Sequence, residues 1–236
     1  MSKKKKIEKS RKNAERNTRS SKDWKAKYKE LRAETDIKLE PDEKIKQCKK
    51  PYPAYWWITN RGRLFSIWNN RIEQLKPEVN YCGKKRDHLV WRYNYKGNRH
   101  VPVDKLVFDH FGKSEWDDYD GNLDLHHIFG MKHWNEDDCF EASRIENIQA
   151  IPREKVHPFA TELDNKTELE VFLKFLKKTD GDVLETNLGT MLLNGSFPQG
   201  ATLYMQVQDE EGRTGYRVAR ASETELKAMI KMSAVD

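Results

Sequence analysis

The chain has few cysteines, no long apolar run and no internal repeat. Its 236 residues include 3 Cys, at positions 48, 82 and 139, without a Cys-x-x-Cys pair. An odd number of scattered cysteines excludes a disulfide scaffold and predicts reduced thiols in a cytosolic compartment. No apolar run is close to the length of about 20 residues that a helix needs to span a bilayer. The basic run Lys3–Lys6 lacks the apolar segment that follows in a secretory signal, so we expect neither export nor a membrane partner.

What the chain does have is charge and aromatic side chains. Charged residues make up 35% of it, hydrophobic residues 36% and aromatic residues 11%. This composition is lean for a large core, but the aromatic rings give large surfaces to bury. The length allows one or two folded domains and a tail. We therefore expect two modest cores.

The net charge of +6 is unevenly distributed. Residues 1–32 contain 14 Lys and Arg against 4 Asp and Glu, whereas residues 51–110 contain 11 against 5. Residues 111–160 reverse the sign, with 5 against 11. Clustered lysines and arginines favour a phosphate backbone as partner, and local carboxylates favour a divalent cation. The pattern is consistent with double-stranded DNA as the partner.

The first 31 residues show almost no apolar periodicity and are predicted to form a basic tail, flexible or helical. Three interpretations are open: a solvated tail, a basic arm that orders on DNA or RNA, and a localisation signal. The first two are compatible with each other. Residues 36–53, with mixed charge and three prolines, read as a linker. Beyond them, residues 55–66 predict strand, turn and strand, with the turn at Asn60-Arg61-Gly62. Residues 88–95 and 99–103 predict two more strands. A helix is predicted over 103–111, with Asp104 available as its N-cap.

The strongest chemical signal is His126-His127, followed downstream by Asn147 and His157. One imidazole can bind a divalent cation while its neighbour takes a proton from water, because the ordinary pKa of histidine lies near neutrality. Adjacent residues on a regular strand point to opposite faces. The pair is therefore predicted at a strand end or bend, which Gly130 would permit.

The order of these residues, with the segment Ile145-Glu146-Asn147-Ile148-Gln149, resembles the HNH (ββα-metal) nuclease family over residues 120–158. The resemblance implies an endonuclease that hydrolyses phosphodiester bonds to a 5′-phosphate and a 3′-hydroxyl. It makes His126 a metal ligand, His127 the general base, Asn147 the residue that ties the loop together, and His157 the second ligand. The implied cofactor is Mg²⁺ or Mn²⁺, with Zn²⁺ and Ni²⁺ as further candidates.

Two features leave the second ligand open. The gap between His127 and Asn147 is long for the family, and Pro158 disfavours helical geometry at His157. The metal-binding helix is then short, over residues 152–156, with Pro152 at its first position. Glu154 is an alternative ligand, as are four residues of the inserted loop. These are His133, Asp137, Asp138 and Cys139, the last of which we expect to be an inert buried thiol.

The segment Gly62-Arg63-Leu64-Phe65-Ser66 is similar to a small module that precedes the HNH motif in phage-type homing endonucleases, as is the passage into the helix over 103–111. This resemblance implies a DNA-positioning module. Five basic residues of the module are the candidate DNA contacts, although a solvated basic face is the simpler interpretation of any one of them. They are Arg61, Arg63, Lys84, Lys85 and Arg86. Five apolar residues of the module and the helix after it are predicted to be core: Leu64, Phe65, Leu106, Val107 and Phe111.

After His157 the chain carries no chemical motif. Residues 166–176 predict an amphipathic helix, 201–208 and 215–220 two strands, and Ser222 with Glu225 a capping box that opens a last helix. The net charge of residues 161–236 is −4. This part could read DNA sequence, bind a protein partner or cover the nuclease surface. A second DNA-reading domain is usually basic, so the charge favours a protein partner.

Together these observations predict an α+β protein. It comprises a basic N-terminal tail and linker over 1–50, and an HNH-like domain over 51–160. That domain divides into a β-rich DNA-binding module at 51–110 and a ββα-metal motif at 111–160. A small α/β appendage follows at 161–236. The predicted function is that of a metal-dependent HNH endonuclease, phage-encoded and acting in the cytoplasm of the infected cell. Two alternatives are an inactive HNH-derived binding protein and a nucleic-acid-associated structural protein.

Overall fold

The computed structural model describes residues 20–80, 88–94, 98–130, 139–153, 182–186, 189–197 and 200–221. The chain divides into two compact units, Met1–His110 and Phe111–Asp236. Within the described ranges the structure is a mixture of short helices and small antiparallel sheets. No helix in these ranges is long and apolar enough to cross a membrane.

The described elements of the first unit are two helices and seven strands. They are α1 (Ser21–Glu34), β1 (Ile45–Gln47), β2 (Trp56–Thr59), β3 (Leu64–Trp68), β4 (Arg71–Gln74), β5 (Glu78–Asn80), β6 (His88–Asn94), β7 (Asn98–Pro102) and α2 (Val103–Phe111), whose last residue falls in the second unit. Strands β1–β2–β3–β4 form one antiparallel sheet and β5–β6–β7 another.

The strand-turn-strand prediction over 55–66 is confirmed, as are the strands near 88–103 and the helix over 103–111. The β2–β3 turn contains Gly62 at a φ of 85°, a conformation that favours glycine. Leu64, Phe65, Leu106 and Val107 are buried as predicted, whereas Phe111 is half-buried. Asp104 is not the N-cap, since the helix already begins at Val103, and its carboxylate accepts from the neighbouring Lys105 N–H at 2.6 Å.

Helix α1 agrees with the helical form of the predicted arm, but it packs apolar residues that the expectation of a solvated segment did not include. It begins with a capping box between Ser20 and Asp23, and it buries Trp24, Tyr28 and Leu31 against the first sheet. Tyr28 stacks on Trp57 with ring centroids 4.4 Å apart. The three apolar residues stand at i, i+4 and i+7, the spacing of one helix face, but lysines and glutamates separate them in the sequence. Residues 1–19 lie outside the described residues.

The predicted linker over 36–53 also differs from the structure. Ile37 is 8% exposed and packs into the α1 cluster, Cys48 is 2% exposed, and β1 pairs with β2. Burial raises the pKa of the Cys48 thiol far above its usual range. This stretch therefore belongs to the folded first unit. Its two buried apolar residues join the core, and β1 adds a strand to the sheet.

His110, at the end of α2, is buried and carries a defined hydrogen-bond pattern. Its Nδ1–H donates to Leu106 O at 2.8 Å, and its Nε2 accepts from Lys49 N–H at 3.0 Å. A carbonyl can only accept and a backbone N–H can only donate, so the ring is neutral. Burial lowers the pKa of His110 below its ordinary value, while the Leu106 carbonyl and Asp109 oppose that shift and Lys49 and Lys46 add to it.

This arrangement predicts a loss of stability on mild acidification. Because the folded-state pKa of His110 lies below the unfolded value of 6.5, its contribution is complete above about pH 6.5 and declines as the pH falls through that value. The slope for one proton cannot exceed about 1.4 kcal/mol per pH unit. Urea unfolding between pH 7.5 and 5.5 should show a steeper decline for wild type than for His110→Gln. Equal slopes would contradict the prediction, and exposed His100→Ala should retain the wild-type slope.

The described elements of the second unit are a ribbon, two short helical segments and a sheet. They are β8 (Leu123–His127), α3 (Cys139–Ala142), a 3-10 turn (Ile145–Asn147), β9 (Ile148–Pro152), β10 (Asp182–Thr186), β11 (Gly189–Phe197), β12 (Gly200–Gln208) and β13 (Thr214–Ala221). Strands β8 and β9 pair antiparallel, and β10–β11–β12–β13 form a sequential antiparallel sheet.

Three further predictions concern this unit. The two strands expected at 201–208 and 215–220 are confirmed, and β10 and β11, which were not predicted, complete their sheet. Pro152 was wrongly predicted to open a helix, because it is the last residue of β9 and pairs with Leu123. The helices predicted over 166–176 and after Ser222 lie outside the described residues.

Candidate active site

His126 and His127 are the last two residues of β8, so the prediction that the pair lies at a strand end is confirmed. In the β8–β9 register His126 lies opposite Gln149 and His127 opposite Ile148. Residues directly opposite each other share a face of an antiparallel ribbon. His126 and Gln149 therefore lie on one face, and His127 lies on the other at the point where the strand ends.

The two histidines have different environments. His126 is 3% exposed, and its Nε2 donates to the carbonyl oxygen of Tyr216 at 3.2 Å. His127 is half-buried, and its Nε2 is shielded from solvent. The first imidazole is thus built into the interior of this unit, whereas the second is partly open to solvent.

Asn147 is buried and joins three parts of the motif. Its Oδ1 accepts from Phe129 N–H at 2.7 Å, and its Nδ2 donates to Ala142 O at 2.8 Å and to Phe129 O at 3.3 Å. The backbone oxygen of Asn147 accepts from Ile128 N–H at 2.9 Å. The side chain therefore bonds the residue two positions after His127 to the end of α3, which is the contact pattern expected of a residue that ties the loop.

Replacing Asn147 with alanine should destabilise this unit by about 2–4 kcal/mol. The substitution leaves the Phe129 N–H and the Ala142 carbonyl without their side-chain partner, and each such buried group costs about 1–3 kcal/mol. Urea unfolding followed by far-UV circular dichroism measures the effect. Exposed Asn122 stands just before β8, and Asn122→Ala should stay within about 0.5 kcal/mol of wild type. If the two variants unfold alike, Asn147 does not hold the loop.

Arg63, a candidate DNA contact, is held within the first unit. Its Nε donates to Glu43 Oε1 at 2.8 Å, its Nη2 also pairs with Glu43 Oε2, and Nη2 donates to Lys38 O at 2.9 Å. The Glu43 side chain has no exposed surface, and that of Arg63 is 27% exposed. The guanidinium of Arg63 thus serves the core of this unit, a role that the sequence did not indicate.

Arg61 pairs with a more exposed carboxylate than Arg63 does, although its own side chain is 21% exposed. It pairs with Asp42 at 2.5 Å, and the Asp42 side chain is 59% exposed. A surface ion pair of this kind is weak, and a phosphate can replace the carboxylate. The other basic candidates, Lys84, Lys85 and Arg86, lie outside the described residues.

Of the two histidines predicted as metal ligands, the described residues include His126. No group of three His, Cys, Asp or Glu side chains in the described ranges could hold a metal ion by itself. His157, Glu154 and the loop residues at 133, 137 and 138 lie outside these ranges, as does the side chain of Cys139. The imidazole of His126 fits a metal ligand, because ligating histidines commonly donate their other ring N–H to a backbone carbonyl.

No protein-family model matches this chain, and no curated protein matches it. Among solved structures, the chain is similar to that described as "DNA binding and cleavage by the HNH homing endonuclease I-HmuI". The match has 16% sequence identity and a TM-score of 0.36, and it covers 63% of this chain and 76% of that one. A likeness this distant establishes neither a shared fold nor a shared activity.

Proposed function

We propose that this chain is a metal-dependent HNH-type endonuclease that hydrolyses phosphodiester bonds in double-stranded DNA. The observation that carries the proposal is the link between His127 and Asn147. His127 ends β8, and the Asn147 side chain bonds Phe129, two residues further on, through both its oxygen and its nitrogen. A general base needs such a rigid support, because proton transfer depends on a fixed geometry.

His127 is the general base in this proposal. Its Nε2 is shielded from solvent, so Nδ1 is the ring nitrogen that takes the proton from the attacking water. The resulting imidazolium can later return the proton to solvent. Asn147 does not contact the water, and its role is to hold the loop beside the base.

His126 and His157 would hold the divalent metal ion. When bound, the ion polarises the phosphate and stabilises the leaving oxygen. Imidazole ligands suit Ni²⁺ or Zn²⁺, whereas Mg²⁺ and Mn²⁺ prefer oxygen ligands. A site completed by a carboxylate such as Glu154 and by water is therefore expected to accept Mg²⁺ or Mn²⁺, and a site built from imidazoles alone would favour Ni²⁺ or Zn²⁺.

The proposed partner is duplex DNA, held by the basic segments. Residues 1–32 and 51–110 carry net charges of +10 and +6, and such clusters supply the salt-dependent part of backbone binding. We assign phosphate contact to Arg61, because its carboxylate partner Asp42 is 59% exposed and can be replaced by a phosphate, and Lys84, Lys85 and Arg86 complete the proposed surface. Arg63 positions the module by pairing with Glu43 instead of reaching the DNA.

Incubation of the purified protein with supercoiled plasmid tests this function. Separate reactions contain Mg²⁺, Mn²⁺ or EDTA, and each is repeated with His127→Ala and with His100→Ala, which removes an exposed histidine of β7. We expect nicking or linearisation with metal, none with EDTA, and none with the His127 variant. Binding without cleavage in every metal would overturn the proposal and favour an HNH-derived binding protein. Steeply salt-dependent binding without a metal requirement would favour the structural nucleic-acid protein.

A further inference from the structure

Strand β13 of the C-terminal sheet lies directly against the two-histidine motif. The Tyr216 N–H donates to Ile128 O at 2.9 Å, and the Tyr216 carbonyl accepts from His126 Nε2 at 3.2 Å. One residue of β13 therefore bonds both His126 and the loop that follows His127. Tyr216 is 4% exposed, so these bonds are shielded from competing water.

A second residue of the ribbon face holds β13 two positions further along. Gln149 Nε2 donates to Val218 O at 3.1 Å, and Gln149 Oε1 accepts from Val218 N–H at 2.9 Å. Both polar ends of this side chain thus bond the backbone of one residue of β13, Val218. Gln149 lies opposite His126 in the β8–β9 register, so two neighbouring side chains bind alternate residues of the same strand.

The far end of β13 is fixed by the segment that precedes β8. Arg220 N–H donates to Glu115 Oε2 at 2.9 Å, and the Arg220 guanidinium pairs with Asp118 at 2.5 Å and lies 5.7 Å from the ring centre of Trp116. The strand is therefore held along its length, and the position of the Tyr216 carbonyl is set by contacts on both sides of it.

The bond to Tyr216 determines the chemical form of His126. A carbonyl oxygen has no hydrogen to donate, so the bond requires the hydrogen on Nε2. In the neutral ring the lone pair then resides on Nδ1. Partners of this kind fix the tautomer and ring orientation of metal-binding histidines, and their loss commonly weakens metal affinity 10- to 100-fold.

We propose that β13 is a positioning element of the candidate active site, in which the Tyr216 carbonyl holds His126 as the Nε2–H tautomer and presents Nδ1 as the ligand atom for a divalent metal. This inference rests on the proposed function. It makes the C-terminal sheet part of the nuclease site, whereas the sequence suggested a separate appendage for a protein partner.

Gly215 allows β13 to approach the motif closely. A Cβ atom at this position would lie 2.2 Å from Ile128 O and 2.7 Å from a ring carbon of Phe129. Any side chain must therefore push β13 away from Ile128 and carry the Tyr216 carbonyl away from His126. Gly212, in the turn before β13, has a φ of 76°, and a Cβ there would meet nothing within 4 Å. It offers a matched glycine whose substitution strains the turn without touching the motif.

The experiment compares Gly215→Ala with Gly212→Ala in the full chain. Histidine side chains are labelled with ¹⁵N, and long-range ¹H–¹⁵N spectra of the metal-free protein report the His126 tautomer, assigned with His126→Asn. Mn²⁺ affinity is measured from the electron paramagnetic resonance signal of the free ion. We expect Gly215→Ala to lose the pure Nε2–H signature and to bind Mn²⁺ 10- to 100-fold more weakly. Gly212→Ala should match wild type in both measurements, although the strained turn lowers its stability.

The outcomes separate this inference from the proposed function. If wild type cuts DNA but both glycine variants share its tautomer and Mn²⁺ affinity, the inference is overturned and the nuclease stands. If wild type never cuts DNA but only Gly215→Ala changes tautomer and affinity, the inference stands and the nuclease fails. A wild-type chain that does not bind Mn²⁺ overturns the ligand role assigned to His126.

A second variant keeps the test decisive should Gly215→Ala fail to fold. Gln149→Met preserves the length of the side chain and removes both bonds to Val218. It loosens β13 without inserting an atom between the strand and Ile128. The same loss of tautomer purity and Mn²⁺ affinity is expected, and wild-type values in a folded Gln149→Met protein would overturn the inference.

Discussion

Replacing His127 with alanine is expected to lower the rate of plasmid cleavage by about 10²- to 10⁴-fold, the usual contribution of a general base. The substitution removes the only group that we assign to proton transfer from water. It changes no residue of the basic segments at 1–32 and 51–110, so duplex affinity should not change. A rate effect without a binding effect is the signature of a group that acts in the transition state.

The measurement is a single-turnover cleavage assay on supercoiled plasmid, with duplex binding measured separately in Ca²⁺ or EDTA. His100→Ala is the matched control, because His100 is an exposed histidine of the first unit. It should cut at the wild-type rate. Equal loss of cleavage and binding in His127→Ala would show that the substitution disrupts the fold of the motif. Unchanged cleavage would remove His127 from the mechanism.

Replacing Arg63 with alanine is expected to destabilise the chain by about 3 kcal/mol. Removal of one partner of a buried ion pair costs about 3–5 kcal/mol, because the other charge remains buried. The lower end applies here, since the Arg63 side chain is 27% exposed and water can reach the vacated position. Glu43 would keep only its weaker bonds, among them the Glu40 N–H at 3.2 Å.

The matched control for this substitution is Arg61→Ala. Arg61 pairs with the exposed Asp42, and surface pairs contribute about 0–1 kcal/mol. Urea unfolding of both variants by tryptophan fluorescence compares a buried pair with an exposed one two residues apart. Adding Glu43→Gln to Arg63→Ala removes the uncompensated charge and should recover part of the loss. Equal effects of the two arginine substitutions would show that burial of Glu43 does not matter.

The pH dependence of the Arg63 variant provides a further check on the same pair. Burial tends to raise the pKa of Glu43, but the bonds from Arg63, Thr59 and Glu40 outweigh it and lower the pKa below the usual 4.5. In wild type this contribution is therefore complete above about pH 4.5 and is lost as the pH falls through the folded-state pKa. In Arg63→Ala the bonds from Arg63 are lost, so the effect of burial dominates and raises the pKa of Glu43. The destabilisation should then be largest near neutrality and shrink as the solution is acidified.

The local pattern of the chain was enough to predict much of the first unit. The β2–β3 hairpin follows from aromatic and β-branched residues on either side of a turn that needs Gly62. Helix α2 follows from apolar spacing over 103–111. These elements are determined by neighbours within a few residues, which the sequence displays directly.

Helix α1 and residues 36–53 could not be predicted in the same way. Trp24, Tyr28 and Leu31 are too few to stabilise a helix alone, and they become a core only when Trp57 and Phe65 are brought beside them. The pairing of Arg63 with Glu43 has the same origin. From the sequence alone, a basic residue in a turn is interpreted as a DNA contact. Its pairing with a buried carboxylate is made only in the folded chain.

The candidate site also combines features that the sequence determines with features that only the folded structure determines. The sequence by itself determined the types and order of the residues that make up the motif, His126, His127 and Asn147, because the proposed chemistry depends on which side chains the chain supplies there. Only the tertiary structure decided which ring nitrogen of His126 carries the hydrogen, since its partner, the Tyr216 carbonyl, is 90 positions away and belongs to the backbone. A backbone carbonyl oxygen is present at every residue, so no sequence pattern indicates which one contacts the imidazole of His126. That contact is made only when the chain folds.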